Sequence, residues 1–201
     1  MKSKIKKKSF INSLALTVML ASVVSGSKVS AASEVVRMPG TNRFVTASNV
    51  AYQTFGKCNN VILVNGLGYA DAVSAAPLAK ILNAPILLTD AAKRPSLDLL
   101  ETLGKLGAKK VYIIGGQGVV TKELEGELKK SYAVERIAGE VKDGRYGTNA
   151  EVAKRVLRNT GAKEGILVSA EGYADALSIA SIAAKKGEFK PQNVKFEGTI
   201  H

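Results

Sequence analysis

The sequence predicts an α/β fold, a parallel sheet with helices on both faces, laid down once in full and begun a second time. Two observations carry that expectation. Short continuous apolar segments such as Ile62-Leu63-Val64 and Val111-Tyr112-Ile113-Ile114 alternate with longer stretches of helical pattern. Strands apolar on both faces belong to parallel sheets buried between helix layers. The second observation is an internal repeat. Arg37-Met38-Pro39-Gly40 followed by Arg43-Phe44-Val45-Thr46-Ala47 returns as Arg136-Ile137-Ala138-Gly139 followed by Arg145-Tyr146-Gly147-Thr148-Asn149-Ala150, with three extra residues in the turn. Ile62-Leu63-Val64-Asn65-Gly66-Leu67-Gly68-Tyr69-Ala70-Asp71-Ala72-Val73-Ser74 returns as Ile166-Leu167-Val168-Ser169-Ala170-Glu171-Gly172-Tyr173-Ala174-Asp175-Ala176-Leu177-Ser178.

The elements follow in order. Residues Thr46 to Phe55 read as a helix, and Val61 to Val64 as a buried strand bounded by Asn59-Asn60 and Gly66. Tyr69 to Leu82 is an Ala-rich helix that Pro77 should kink or restart, since proline has no N–H to give the ladder. Strand Pro85 to Leu88, helix Ser96 to Leu106 and strand Lys110 to Ile114 come next. The Gly115-Gly116-Gln117-Gly118 turn then leads to helix Lys122 to Ser131, with Thr121 as N-cap, and strand Val134 to Ile137 closes the unit. Right-handed crossovers make this a small doubly wound layer structure. The second unit runs from Arg136 to Lys186. Where the first offers Pro85-Ile86-Leu87-Leu88, residues 187–201 match nothing in it, which reads as a truncation or frame shift near Gly187 and a non-matching tail.

Five lysines in the first eight residues precede the apolar run Phe10 to Val24 and then Val29-Ser30-Ala31, the pattern of an export signal over residues 1–31. Its removal would leave a mature chain working outside the cytoplasmic membrane, with no second candidate span. The chain carries 29 Lys+Arg against 17 Asp+Glu, a formal charge of +12. Six of those lysines lie in residues 1–31, so the mature chain would be +6. Residues 32–135 hold 12 basic and 9 acidic groups and residues 136–201 hold 11 and 8, so each half is +3 and no basic arm of the kind that grips nucleic acid emerges.

The chemistry on offer is narrow. The single histidine is the terminal His201, and the single cysteine, Cys58, has no internal histidine to activate it. No HExxH, CxxC or GxSxG motif is present. The glycines Gly66-Leu67-Gly68 and Gly115-Gly116-Gln117-Gly118 follow strands but match neither a dinucleotide fingerprint nor a P-loop. Asp71 in the first turn of its helix uses the positive end of the helix dipole itself, whereas Gly115 and Gly116 remain a candidate backbone anion site. Arg43 and Arg145 are candidate ligand contacts, since the planar guanidinium binds carboxylate and phosphate bidentately, or else partners for Asp71 and Asp175 of the same or a neighbouring unit. The composition implies no metal and no cofactor.

With those residues in place, the repeat resembles the cell-wall-binding repeat type 2 family of clostridia and related Gram-positive bacteria. The resemblance rests on Arg37 to Ala47, on Tyr69-Ala70-Asp71-Ala72-Val73-Ser74-Ala75-Ala76-Pro77-Leu78-Ala79, on Ala84-Pro85-Ile86-Leu87-Leu88-Thr89 and on Val111-Tyr112-Ile113-Ile114-Gly115-Gly116. It implies Rossmann-like units, a three-layer parallel-sheet repeat of which residues 32–135 form one complete copy and residues 136–186 an incomplete one. Arg37, Gly40, Thr46 and Asp71, with their copies Arg136, Gly139, Thr148 and Asp175, become motif residues of structural role. The resemblance further implies a secreted, non-catalytic module that anchors surface-layer proteins, adhesins or autolysins non-covalently to an anionic wall polysaccharide, with repeats associating in a trimer-like assembly. Two other readings stand beside it: a remnant of an autolysin-type amidase without its catalytic domain, and an extracellular domain binding a small anion at the Gly115 turn.

Overall fold

The structure is a computed structural model that describes residues 36–162, 165–169 and 173–186. The export segment and the non-matching tail expected from the sequence lie outside the described residues. The elements run α1 (Arg43–Phe55), β1 (Asn60–Asn65), α2 (Ala70–Leu82), β2 (Ile86–Thr89), α3 (Leu97–Leu106), β3 (Lys110–Ile114), α4 (Lys122–Lys129), β4 (Ala133–Ile137), a 3₁₀ turn (Val141–Asp143), α5 (Gly144–Thr160) and α6 (Tyr173–Lys186). The strands form one parallel sheet in the order β2-β1-β3-β4, with Ile62 opposite Ile86 and Tyr112, and Tyr112 opposite Glu135. This is the doubly wound layer structure expected from the alternation of apolar strands and helices.

Alternate strand residues feed two cores, because successive side chains leave a strand on opposite faces. Val61, Leu63, Leu87, Val111 and Ile113 meet Ala51 of α1, Leu99, Leu103 and Leu106 of α3, and Leu124 and Leu128 of α4. Ile62, Val64, Tyr112, Ile114 and Ile137 meet Ala75 and Leu78 of α2 and Val152 of α5. Val152 and the adjacent Val156 come from the second copy of the motif, so that copy's first helix covers the sheet of the first. The second motif itself begins inside β4, which carries Arg136 and Ile137.

Local chemistry sets the helix ends. The Asn42 side chain accepts from the Val45 N–H at 3.0 Å, which starts α1 at Arg43, three residues before the position expected from the apolar pattern. Ser96 and Thr121 cap α3 and α4 in the same way, and Gly107 and Gly161 close α3 and α5 in the left-handed conformation. Helix α2 is not restarted at Pro77 but runs through it from Ala70 to Leu82. Packing explains this: Ala75 and Leu78 are locked into the core under it while α5 and α6 lie against its other sides.

The second copy departs from the first after α5. Residues 165–169 form no strand. Leu167 is 99% exposed, whereas its counterpart Leu63 is fully buried. In the first copy that segment is held by β2 on one edge and β3 on the other; among the described residues of the second copy no such partners exist. A strand left without neighbours has no ladder to enter. Helix α6 nevertheless forms and lies against α2, its own counterpart, with the Tyr69 and Tyr173 rings 5.7 Å apart.

Candidate functional site

In an open parallel sheet, ligands enter the crevice at the carboxyl ends of the strands where the chain switches sides. Here that point lies between β1 and β3, and protein groups fill it. The Asn65 side chain donates to the Val119 carbonyl at 2.6 Å and accepts from the Leu67 N–H at 2.7 Å, tying the two loops together. Asp71, half-buried in the first turn of α2, points its carboxylate across the gap onto Gly115. The Gly115 N–H donates to Ile137 and its carbonyl accepts from Arg136, so both backbone groups belong to the sheet and its edge. The Gly116 carbonyl accepts from the N–H groups of Val119 and Val120. At the Gly115 turn, therefore, the positions closest to the backbone already hold a carboxylate.

The two arginines chosen from the sequence occupy different surroundings. Arg43 donates to the Gly66 carbonyl at 2.8 Å and fastens α1 to the loop after β1, while remaining an exposed residue. Arg145, exposed at the start of α5, reaches across to the first copy. Its guanidinium lies 6.0 Å from the Tyr69 ring centroid and 3.4 Å from the Tyr69 hydroxyl. Burial pushes the Asp71 carboxyl above the usual range, and the charge of Arg145 pulls the other way without cancelling it. Beside them the Asn149 amide donates to the Ser74 hydroxyl at 2.9 Å. The arginine of one copy thus faces the aspartate of the copy before it. Asp175, the counterpart of Asp71 on α6, has no hydrogen bond or ion pair among the described residues.

Several of the remaining motif residues bond or pack within the fold. The Gly40 N–H donates to Thr46 Oγ1, whose proton goes to the Asn42 carbonyl, and a side chain at Gly40 would collide with the backbone of Val45 and Thr46. Gly139 makes the same close approach to Gly147, next to the buried Thr148. Arg136 is the most heavily bonded of the arginines, held by Glu125 Oε2, by the Gly115 carbonyl and by the Thr121 carbonyl. Its counterpart Arg37 is exposed. Cys58 packs half-buried against the α1–α3 core, where burial pushes its thiol up, away from the thiolate a nucleophile needs. Among the described residues no three His, Cys, Asp or Glu side chains come close enough together to hold a metal ion, and no helix is long and apolar enough to cross a membrane.

The tyrosine pair across the two copies was missed from the sequence, although Tyr69 and Tyr173 stand at the same place in the repeat. So were Glu125, which holds Arg136, and the row Glu151, Arg155, Arg158 along α5. Their spacing announces a common helix face but not what that face looks upon.

Comparison with known proteins accounts for both copies. The family model for cell wall binding domain 2 matches residues 37–125 and 136–190. N-acetylmuramoyl-L-alanine amidase LytC of Bacillus subtilis (strain 168) is 35% identical over 154 residues, which are 76% of this chain and 30% of LytC. The amidase enhancer of the same organism is 34% identical over 154 residues, 75% of this chain and 20% of its own length. Among solved structures, Cwp8 from Clostridium difficile superposes with a TM-score of 0.69 at 34% identity, covering 86% of this chain and 29% of Cwp8. Cwp6 from the same organism gives 0.63 at 27%, covering 80% and 26%. The chain spans less than a third of the length of each of these proteins. Matched across both copies of its motif, it belongs to the cell wall binding domain 2 family.

Proposed function

We propose that the chain is a non-catalytic module that holds a secreted protein on the Gram-positive cell wall, non-covalently, through an anionic wall polymer. The match of the wall-binding family to both copies of the repeat carries this reading. The exposed guanidinium groups of Arg43 and Arg145 are its first contacts for the polymer. Gly115 and Gly116 contribute only where their backbone is not already committed to the sheet and to the turn. Because weak sites on a repeating polymer add through effective concentration, each contact needs little affinity of its own.

The same reading includes association with further copies of the repeat in a trimer-like arrangement. Arg145 of the second copy faces Asp71 of the first. By equivalence, Asp175 is placed to face an arginine of another copy. Retention on purified walls, before and after extraction of the anionic polymer, tests the function. Binding lost with the polymer is the expected result, and undiminished retention on stripped peptidoglycan overturns it. Release of soluble muropeptides would instead favour the amidase reading, which the similarity to LytC brings with it.

A further inference from the structure

Strand β4 is the outer strand of the sheet, and among the described residues no strand pairs with the far side of its backbone. The Ala133 N–H donates to Lys109 and the Gly115 N–H to the Ile137 carbonyl, so residues 133, 135 and 137 turn their backbone groups toward β3. By the alternation of a parallel ladder, Arg136 and Ala138 turn theirs outward. Along that edge runs a cleft of about 150 Å³, lined by Glu135, Arg136, Ile137, Ala138, Glu151, Arg155 and Arg158. Its far wall is one stripe of α5, since positions 151, 155 and 158 share a helix face.

The charges in the cleft do not balance. Glu135 already has two cations, Lys110 at 2.7 Å and Arg155 at 2.7 Å. Glu151 has Lys154 at 2.7 Å, and Arg136 is answered by Glu125. Arg158, exposed in the last turn of α5, has no hydrogen bond or ion pair among the described residues and only the field of Glu151 for company. The cleft therefore offers outward N–H groups, a free guanidinium, a second guanidinium held in position by Glu135, and carboxylates that accept from hydroxyls. Among the described residues no aromatic ring lines it. It is smaller than the ~300 Å³ at which pockets for larger organic ligands begin, and it is open to solvent along one side, so it suits one unit of a longer chain.

We propose that this cleft between the free edge of β4 and the Glu151–Arg155–Arg158 face of α5 binds an acidic sugar unit. The carboxylate or phosphate of the sugar is taken by Arg158 and the outward amides of Arg136 and Ala138, and its hydroxyls are taken by Glu135 and Glu151. The proposal deepens the wall-anchoring reading and rests on it for the choice of a sugar. It gives Arg158 a task beyond complementing the helix dipole, which any cation in that turn performs.

The test titrates the ¹⁵N-labelled protein with glucuronate, with glucose 6-phosphate and with glucose, following the Arg136 and Ala138 amides and the Arg155 and Arg158 side-chain Nε–H signals. One or both acidic sugars should shift these four signals saturably at roughly millimolar concentration, with glucose far weaker; which acid acts identifies the anionic group. Arg158→Gln should weaken the acidic sugar about tenfold with an unchanged melting temperature, and Arg158→Lys should restore part of it. Equal shifts with glucose, no shifts with any sugar, or shifts of the two amides with protein concentration alone would overturn the proposal. Wall retention is measured in parallel on the same variants. Wild-type retention without sugar-dependent shifts sinks the cleft and leaves the anchoring reading standing. Shifts without wild-type retention sink the anchoring reading and leave a sugar site.

Discussion

The carboxylate of Asp71 occupies the space that a side chain on Gly115 would need: a Cβ there would lie 2.7 Å from Asp71 Oδ2 and 2.7 Å from Val119 Cγ2. Gly115 also has φ +122°, where residues other than glycine are strained. Gly115→Ala should therefore cost about 3 kcal/mol, read as a fall in melting temperature of roughly 6–12 °C. Adding Asp71→Ala should recover part of that loss through removal of the collision, leaving the backbone strain. Strict additivity of the two changes would show that the carboxylate does not press on the glycine.

Asp71 itself should leave a mark on stability against pH. Burial holds its carboxyl above the usual range despite Arg145, so the folded chain binds this proton more tightly than the unfolded chain does. Ionising it costs folded-state stability. The cost is complete above the raised folded value and gone below the ordinary aspartate value of about 3.9. Wild type should gain on Asp71→Asn as pH falls from neutrality toward 4, the other acidic groups cancelling in the comparison. A flat or opposite difference between the two denaturation series would contradict this. Arg145→Gln should raise the Asp71 value further, measurable from its carboxyl chemical shift.

Glu125 behaves in the opposite sense. Burial pushes its carboxyl up, but the bonds from Lys129 and Arg136 together more than reverse that and leave it below the usual range. Its contribution is present above the unfolded glutamate value and is lost as pH falls through the folded one. Both partners of the Glu125–Arg136 pair are largely buried, with side chains 13% and 14% exposed. Arg136→Ala should cost about 2 kcal/mol, because it strips Glu125 Oε2 and the Gly115 carbonyl of their donor and leaves Lys129 as the carboxylate's remaining cation. Chemical denaturation at neutral pH checks this, and a loss below about 1 kcal/mol would contradict it.

The second copy's helix should stabilise the first copy's sheet. Val152→Ala removes two methyl groups from the core beneath α5 and should cost about 2 kcal/mol. Amide exchange should report the loss in Tyr112 and Ile114, residues that lie on β3 rather than in the mutated helix. If only α5 amides exchange faster, the two copies fold independently.

Retention on walls should weaken with salt. At about 0.5 M the screening length falls to a few ångströms, so exposed arginine and lysine contacts to an anionic polymer lose most of their reach. Unchanged retention between low salt and that concentration would mean that charge does not dominate binding.

The strands were legible in the sequence to within a residue or so, because a buried parallel strand is a short unbroken apolar run and little else in a soluble chain looks like it. The cap at Thr121 was equally plain, since the side chain that makes it sits beside the helix it starts, whereas Ser96, read as the first helical residue, proves to be the cap of α3. The course of α2 through Pro77 was not, because what holds that turn is packing from three sides. That residues 165–169 form no strand was hidden for a related reason: Ile166-Leu167-Val168 is as apolar as Ile62-Leu63-Val64, and only the presence of neighbouring strands makes a strand of it. At the candidate site the motif singled out arginines and aspartates but treated the copies as alike. The structure gives Arg136 three acceptors where Arg37 is exposed, and sets Arg145 against Tyr69 where Arg43 binds Gly66.

Because the second motif begins within β4 and its helix α5 completes the core before it, the period of the sequence and the period of folding are out of step by one helix. A cut or splice at the motif boundary would divide a strand and leave one face of the sheet bare. New copies added by duplication are then not independent beads. Each arrives as the lid of its predecessor, so an array of such repeats can lengthen only by preserving that overlap.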